Sequence, residues 1–412
     1  MNTITVINTI IGIIFSLCYL YQIIYIPIVL SGKFKVYDEG KKHRFAVLIC
    51  ARNEEKIIPD LIKSIKLQTY GADLINIFVI ADNCTDNTAL SARSSGATIY
   101  ERNDTEHIGK GYALESLIEH IKFDFPKNYF DGYFVFDADN VLDRNYISEM
   151  NKTFSAGNDI ITSYRNSKNF GSNWISAGYG LWFLREAQYL NGARSMIGSS
   201  AGVSGTGFFF SSRVLDEMGS WKFHLLTEDI EFTVHNIVNG EKIAYCPTAV
   251  FYDEQPTSFI QSWHQRIRWT KGYIQVFRNY GKKLIAGIFH GSFSCYDITM
   301  SILPAAVLSI GCIMINLIDT VYRIISGTTL MPIIMSAAAG ALSSYLLLFF
   351  AGAITTVTEW KNIRASAFKK LLYTFTFPIF MATYIPIAVA AIFSKAEWRP
   401  IVHTVNVDIS KF

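Results

Sequence analysis

Residues 3–30 carry no charged side chain and are nearly all apolar. Crossing a bilayer takes ~20 such residues in a helix, so this run fixes one membrane element before anything else is read. A cleaved leader would open on basic residues, hold a shorter apolar core and end in a small-residue cleavage site. None of these is present, and the run reads as a retained helix. Lys33, Lys35, Lys41, Lys42 and Arg44 follow it. Basic flanks stay in the cytoplasm, which predicts the N-terminus outside and the following residues inside.

Three more apolar runs of spanning length come late, at about 298–317, 331–357 and 371–393. Lys361, Arg364, Lys369 and Lys370 between the last two read as a cytoplasmic loop, and Asp319 and Arg323 as part of an external connection. Counting spans puts the tail outside, whereas its Lys395, Arg399 and Lys411 point inside. Pro378 and Pro386 interrupt the last run, so a re-entrant or kinked element is the alternative to a span. Only 17% of residues are charged, against about 25% in soluble domains. Disordered, fibrous and plain cytosolic classes are thereby excluded. A net charge of +3 is too weak to argue for nucleic acid. The six cysteines show neither C-x-x-C spacing nor histidines at metal-site spacing.

Residues 44–256 have another rhythm. Strand-like runs at 45–50, 77–81, 98–101, 133–136, 160–164 and 243–246 alternate with helix-like stretches at 54–68, 85–95 and 112–121. This βαβ pattern predicts a mostly parallel sheet covered on both faces. Ligands of such sheets sit at the carboxyl ends of the strands. Three of those ends are acidic: Ala51-Arg52-Asn53-Glu54-Glu55, Asp82-Asn83-Cys84-Thr85-Asp86 and Asp137-Ala138-Asp139-Asn140.

Four pieces carry chemistry, and each has a plainer reading. Asp137 and Asp139 can share a hard divalent cation with phosphate oxygens, or simply make a polar turn. Thr227-Glu228-Asp229 opens a predicted helix at 228–239, as a general base or as a capped first turn. Gln265, Arg268 and Trp269 stand at i, i+3 and i+4, so a helix puts amide, guanidinium and indole on one face. That face suits a phosphate and a sugar ring; a helix lying in the membrane interface would also be rich in Trp and Arg. Lys110, between Gly109 and Gly111, opens a helix where an anionic phosphate fits, or is a solvated turn lysine. The G-x-x-x-x-G-K-[ST], G-x-S-x-G and H-E-x-x-H patterns are absent.

The ordered set ARNEE, ADNCTDNT, GKGYAL, FDADN, GTGFFF, LTED and QRIRW, over residues 51–269, resembles glycosyltransferase family 2 in its membrane-embedded branch. That branch holds the cellulose, hyaluronan, chitin-oligosaccharide and poly-N-acetylglucosamine synthases. The resemblance implies a Rossmann-like GT-A domain set between transmembrane helices, a UDP-sugar donor and Mg²⁺ or Mn²⁺. It implies Ala51, Arg52, Glu54, Asp82, Lys110, Asp137, Gln265 and Arg268 at the nucleotide-sugar. Asp137 and Asp139 take the metal, Ser204, Gly205, Thr206 and Trp269 the acceptor, and Asp229 the role of base. Arg52 stands where the branch often has an aromatic residue.

The expected layout is a membrane helix at 1–31, a cytosolic GT-A domain at 32–256, amphipathic interfacial helices at 257–293, a membrane region at 294–394 and a tail at 395–412. The expected activity is an inverting, metal-dependent hexosyl transfer at the plasma membrane, with GlcNAc or Glc as the sugar. The expected acceptor is a growing β-linked polysaccharide, extended processively and exported; the alternative is one or a few sugars added to a membrane lipid. A bundle of three or four spans is narrow for a polysaccharide, so export would call for interfacial helices, such as one at 174–190, a homo-oligomer or an auxiliary subunit. A transporter or nucleotide sensor is the reading from another class; few spans and a full carboxylate set count against it.

Overall fold

The computed structural model describes residues 3–302, 304–327 and 330–394. The tail at 395–412, with Lys395, Arg399 and Lys411, lies outside the described residues. The apolar N-terminal run forms α1 (Thr3–Ser31). The chain then enters an α/β unit through β1 (Phe45–Ala51), α2 (Ile58–Lys66), β2 (Ile75–Asp82), α3 (Thr88–Ser94), β3 (Thr98–Arg102), α4 (Lys110–Asp124) and β4 (Gly132–Asp137). Next come β5 (Val141–Leu142), α5 (Tyr146–Ser155), β6 (Ile160–Ser167), α6 (Trp174–Arg185), a π-helical segment at Glu186–Asn191 and α7 (Gly192–Met196). β7 (Phe208–Ser211), α8 (Ser212–Met218), α9 (Glu228–Val238) and β8 (Ile243–Asp253) complete it.

All eight strands join one sheet in the order β3-β2-β1-β4-β7-β6-β8-β5. β1 is parallel to β2 and β4, and β2 to β3. β7 runs antiparallel to both β4 and β6, and β5 antiparallel to β8. The sheet is therefore Rossmann-like in its first half and mixed in its second. β5 and β7 are the strands that sequence pattern does not announce: one has two residues and the other is a buried Phe-Phe-Phe run without period.

β1 shows why both faces are covered. Its residues Ala46 and Leu48 pack with Leu114 and Leu117 of α4 and with Trp221 and Phe232. Phe45, Val47 and Ile49 pack on the other face with Ile58, Leu61 and Ile62 of α2. A strand buried on both faces reads as a continuous apolar run. α2 starts later than the 54–68 pattern suggests. Residues 54–57 are a turn in which the N–H groups of Ile57 and Ile58 both donate to Glu54 O, at 3.2 and 3.1 Å, and Pro59 stands in the first helical turn.

After the sheet, α10 (Phe259–Phe289) is one helix of 31 residues. α11 (Phe293–Ile302) and α12 (Pro304–Ile325) follow, then α13 (Leu330–Thr358), α14 (Ala367–Ala382) and α15 (Tyr384–Phe393). Among the described residues, 6–31, 331–358 and 367–393 are long and apolar enough to cross a membrane. The predicted run at 298–317 is divided between α11 and α12. Asp319 and Arg323 are not in a connection: they pair within α12 at 2.9 Å. The helix expected to lie at an interface over 174–190 is instead packed inside, with Ile175, Tyr179, Leu181 and Phe183 buried.

Candidate active site

The carboxyl ends of β1, β2 and β4 meet at one edge. Ala51 is opposite Ala81, and Cys50 opposite Asp137, so Asp82 and Asp137 flank the end of β1. Asn53 and Asn83 have φ of 59° and 52°, a left-handed turn that asparagine tolerates better than most residues. Asn53 Oδ1 accepts the Thr85 N–H at 2.8 Å, which ties the two loops together. Glu54 is held there by its N–H, which donates to Thr88 Oγ1 at 2.8 Å. Burial raises the pKa of the Cys50 thiol, and the charges of Lys110, Asp137, Asp82 and Glu228 all act on it. Four separate segments thus converge over the end of β1.

Lys110, the first residue of α4, reaches across this edge. Its ammonium pairs with Asp137 Oδ1 and donates to Gly205 O at 2.6 Å. Burial opposes its charge, but Asp137 and Glu228 outweigh that and raise its pKa. The Ser204–Gly205–Thr206 loop is the hub of the site. Ser204 Oγ donates to Glu186 Oε1 at 2.6 Å, and Ser204 O accepts from Arg165 Nη1 at 2.9 Å. Gly205 has φ 79°. A Cβ there would stand 3.9 Å from Asp229 Oδ2, which brings the loop against the carboxylate. Thr206 Oγ1 accepts the Asp137 N–H at 2.8 Å and donates to Asn140 Oδ1 at 2.5 Å.

Glu228 and Asp229 open α9. Thr227 occupies the N-cap position, but its side chain makes no cap hydrogen bond. Gly272 of α10 stands against it: a Cβ on Gly272 would fall 2.4 Å from Thr227 Oγ1. Burial, then the charge of Asp229, pushes Glu228 up to about 7, against the opposing pull of Lys110 and Arg268. Burial also raises Asp229. Arg268 therefore acts on both acids from α10. The next residue, Trp269, sets its ring edge-on to Tyr179 and Phe183, at 5.8 and 6.3 Å. The Gln265 Oε1 is buried without a hydrogen-bond partner.

The two aspartates of the D-x-D piece are engaged differently. Asp137 keeps 40% of its side chain exposed. Asp139 is buried; it accepts from Asn140 Nδ2 at 3.1 Å and from the Glu254 N–H at 2.9 Å. Among the described residues no group of three or more His, Cys, Asp or Glu stands together to hold a metal ion. Two carboxylates suit a hard cation such as Mg²⁺ or Mn²⁺ only if other oxygens complete the shell.

A family model described as "Glycosyltransferase like family 2" matches residues 43–272, more than half of the chain. The chain belongs to glycosyltransferase family 2. This family-2 glycosyltransferase is similar to the β-monoglucosyldiacylglycerol synthase of Synechocystis sp., 24% identical over 240 residues, covering 57% of this chain and 48% of the relative. It is also similar to the poly-β-1,6-N-acetyl-D-glucosamine synthase of Staphylococcus aureus, 26% identical over 241 residues, covering 55% of this chain and 53% of the relative. The match thus spans about half the length of these curated relatives. The fold is shared with a mannosyltransferase of Pyrobaculum calidifontis solved with GDP-mannose and Mn²⁺: TM-score 0.60, 14% identity, 94% of this chain and 99% of that one.

The structure of the glycosyltransferase adds residues that the motifs do not name. Arg102, at the end of β3, pairs with Asp82 Oδ1 at 2.6 Å. Arg165 pairs with Asp253, its guanidinium stacked 3.5 Å from the centre of the Phe183 ring. Glu186 heads the π-helical segment beside Ser204. Arg102 ends β3 as Asp82 and Asp137 end β2 and β4, so the same strand-end position marks it in sequence. Glu186 has no such signal, because a π-helical turn leaves no period in sequence.

Proposed function

We propose that this enzyme transfers a hexose, GlcNAc or Glc, from a UDP-sugar to a hydroxyl of a membrane lipid, with inversion at the anomeric carbon. The observation that carries the transfer chemistry is the convergence of Lys110, Asp137 and Asp229 on the Ser204–Thr206 loop, with Asp82 across the end of β1 from Asp137 and the Arg268 charge acting on Asp229. In this reading Ala51, Arg52, Glu54 and Asp82 hold the nucleoside, and Lys110, Gln265 and Arg268 face the diphosphate. Asp137, with Asp139, would hold Mg²⁺ or Mn²⁺, and that ion, when bound, neutralises charge on the leaving diphosphate. Lys110 and Arg268 stabilise the same developing charge from fixed positions. Asp229 takes the proton of the acceptor hydroxyl as it attacks opposite the diphosphate. One displacement turns an α-linked donor into a β-linked product.

The lipid acceptor is favoured by the surroundings of the hub. Glu186 bonds Ser204, and its neighbour Arg185 donates to Gln22 of α1 at 2.9 Å. The acceptor side of the site thus adjoins an apolar membrane helix, and Trp269 stands with Tyr179 and Phe183 beside α14. The likeness to a diacylglycerol-glycosylating enzyme agrees with this. The second reading, extension of a β-linked polysaccharide, is supported by Gln265-Arg266-Ile267-Arg268-Trp269 and by the likeness to a polysaccharide synthase. In this reading the enzyme sits in the plasma membrane, and the basic flank after α1 supports a cytoplasmic sheet domain. The test is UDP release from a panel of UDP-sugars with Mg²⁺ or Mn²⁺, with labelled product extracted and sized. A short organic-soluble glycolipid is expected, with turnover lost in EDTA and restored by the cation. A long water-soluble polymer would select the second reading, and no UDP release from any donor would reject both.

A further inference from the structure

Residues 367–393 are long and apolar enough to cross a bilayer. Their contacts lead elsewhere. α1 and α11–α12 run antiparallel in register: Tyr25 bonds Asp297 at 2.6 Å, Tyr19 bonds Met300 O at 2.9 Å, and Asn8 bonds Asn316 at 3.0 Å. If α1 crosses, α12 crosses with it, away from the sheet domain. α13 returns to the domain. At its end the Tyr164 hydroxyl donates to Glu359, and Asn166 Nδ2 donates to Asn362 O at 3.0 Å. The half of α13 farthest from the domain, residues 331–344, is exposed except for the half-buried Ile333.

α14 runs along the domain-side half of α13 up to Phe377. Thr374 and Thr356 share a hydrogen bond of 2.7 Å, and Tyr345 donates to Phe375 O at 3.0 Å. From Pro378 on, the chain presses against the sheet domain. Phe380 lies over Gly178 of α6, where an added Cβ would fall 2.3 Å from its ring. Thr383 Oγ1 accepts from Arg266 Nη1 at 2.7 Å. Ile387 and Ala391 pack on Ile267 of α10, and Ser394 O accepts from the Lys271 ammonium. The other end is held by Lys369, which donates to Gly171 O at 2.6 Å. α10 is itself a domain helix, since its Val276 and Leu284 pack with Val234 and Ile237 of α9.

A span would separate its two ends by ~30 Å of hydrocarbon. Both ends of this helix instead bond residues of one domain. Its other face bears an exposed apolar stripe: Leu371, Phe375, Ile379, Ile385, Val389 and Ile392. We infer that α14 and α15 form one proline-bent helix lying along the headgroup–acyl boundary of the leaflet facing the catalytic domain. The stripe sits in lipid, and residue 394 ends on the catalytic side. Interfacial helices bury one apolar face in this way. Lys271 and Lys369 at its ends are then sorted to the same side as Lys361 and Arg364. Among the described residues α1, α12 and α13 are left to cross. The inference does not depend on the reaction proposed above.

Single cysteines at Ser326, Ser394 and Lys127, in the full chain with its native cysteines replaced, can be labelled with a membrane-impermeant maleimide in sealed vesicles of both orientations. Ser394→Cys is expected to label from the same side as Lys127→Cys on the domain, and Ser326→Cys from the other. A fluorophore at Ile379→Cys should be quenched more by nitroxide near the headgroups than by nitroxide at the bilayer centre. An epitope appended to the otherwise unaltered chain, and digested by protease in the same vesicles, gives the same answer should the cysteine-free chain fail to fold. Labelling of Ser394→Cys from the Ser326 side, protease access to the epitope from that side, or stronger quenching at the centre would overturn the inference.

Discussion

Single residues decide the proton inventory of the site. Burial, and then the adjacent Asp229 charge, push Glu228 up to about 7, beside the carboxylate proposed as the base. kcat/KM should rise with pH through this region, because the base must be free of a proton to accept one. Glu228→Gln removes the neighbouring negative charge and should move the midpoint to lower pH, as read from a pH–rate profile. The same shift has a stability consequence. A carboxyl whose folded pKa is raised binds its proton more tightly folded than unfolded, so its cost is absent below the unfolded value and complete above pH 7. Glu228→Gln should therefore raise the melting temperature at pH 8 and leave it nearly unchanged at pH 4. Glu186→Gln keeps the shape beside Ser204 but weakens a charge-assisted bond. It should raise the acceptor KM several-fold with little change in kcat, measured with donor saturating. At this scale the acids were legible, because polar groups at strand ends are conspicuous. Arg165 and Asp253 were not, because their meaning lies in an ion pair between strands that neighbour each other in the sheet but lie far apart in sequence.

At the scale of elements, α10 shows what sequence spacing reads and what it omits. The i, i+3, i+4 spacing placed Gln265, Arg268 and Trp269 together, and Arg268 does act on Glu228 and Asp229. The residue between them, Arg266, is fully buried on the opposite side. It donates to Thr383 and lies 4.6 and 4.8 Å from the Phe380 and Tyr384 rings. One arginine acts on the two acids of the proposed site and the other clamps the helix to α14 and α15. Arg266→Met should cost on the order of 2–4 kcal/mol, the worth of a buried cation–π contact and a charged hydrogen bond. Thermal melting in detergent measures it, and Arg268→Met should leave melting nearly unchanged while removing turnover. β1 to β4 and their helices were legible because a doubly covered parallel sheet writes itself as apolar runs separated by helical periods. β7 and the burial of α6 were not. A four-residue run has no period, and a helix rich in aromatics reads alike whether it faces lipid or the core.

Across the whole molecule, polar clamps join the GT-A domain to a small set of long apolar helices. Asp297 receives Arg194 of α7 at 2.6 Å, with Tyr25 of α1 beside it. The loop at 359–366 docks on β6 through Glu359 and Asn362. These clamps tie the sheet domain to the apolar helices α1 and α13, and the proposed lipid acceptor rests on that attachment. Sequence gave the membrane runs and the order of motifs, but apolar length alone does not distinguish a helix that crosses from one that lies flat. The central claim is that Asp229 removes the acceptor proton while Lys110, Asp137 and Arg268 hold the donor diphosphate. Comparing wild type with Asp229→Asn, by UDP release and by calorimetric UDP binding on the same preparations, tests it most directly. The account predicts unchanged UDP affinity and release slowed by about 10²–10⁴-fold, the usual worth of a general base. Unchanged turnover in Asp229→Asn would contradict it.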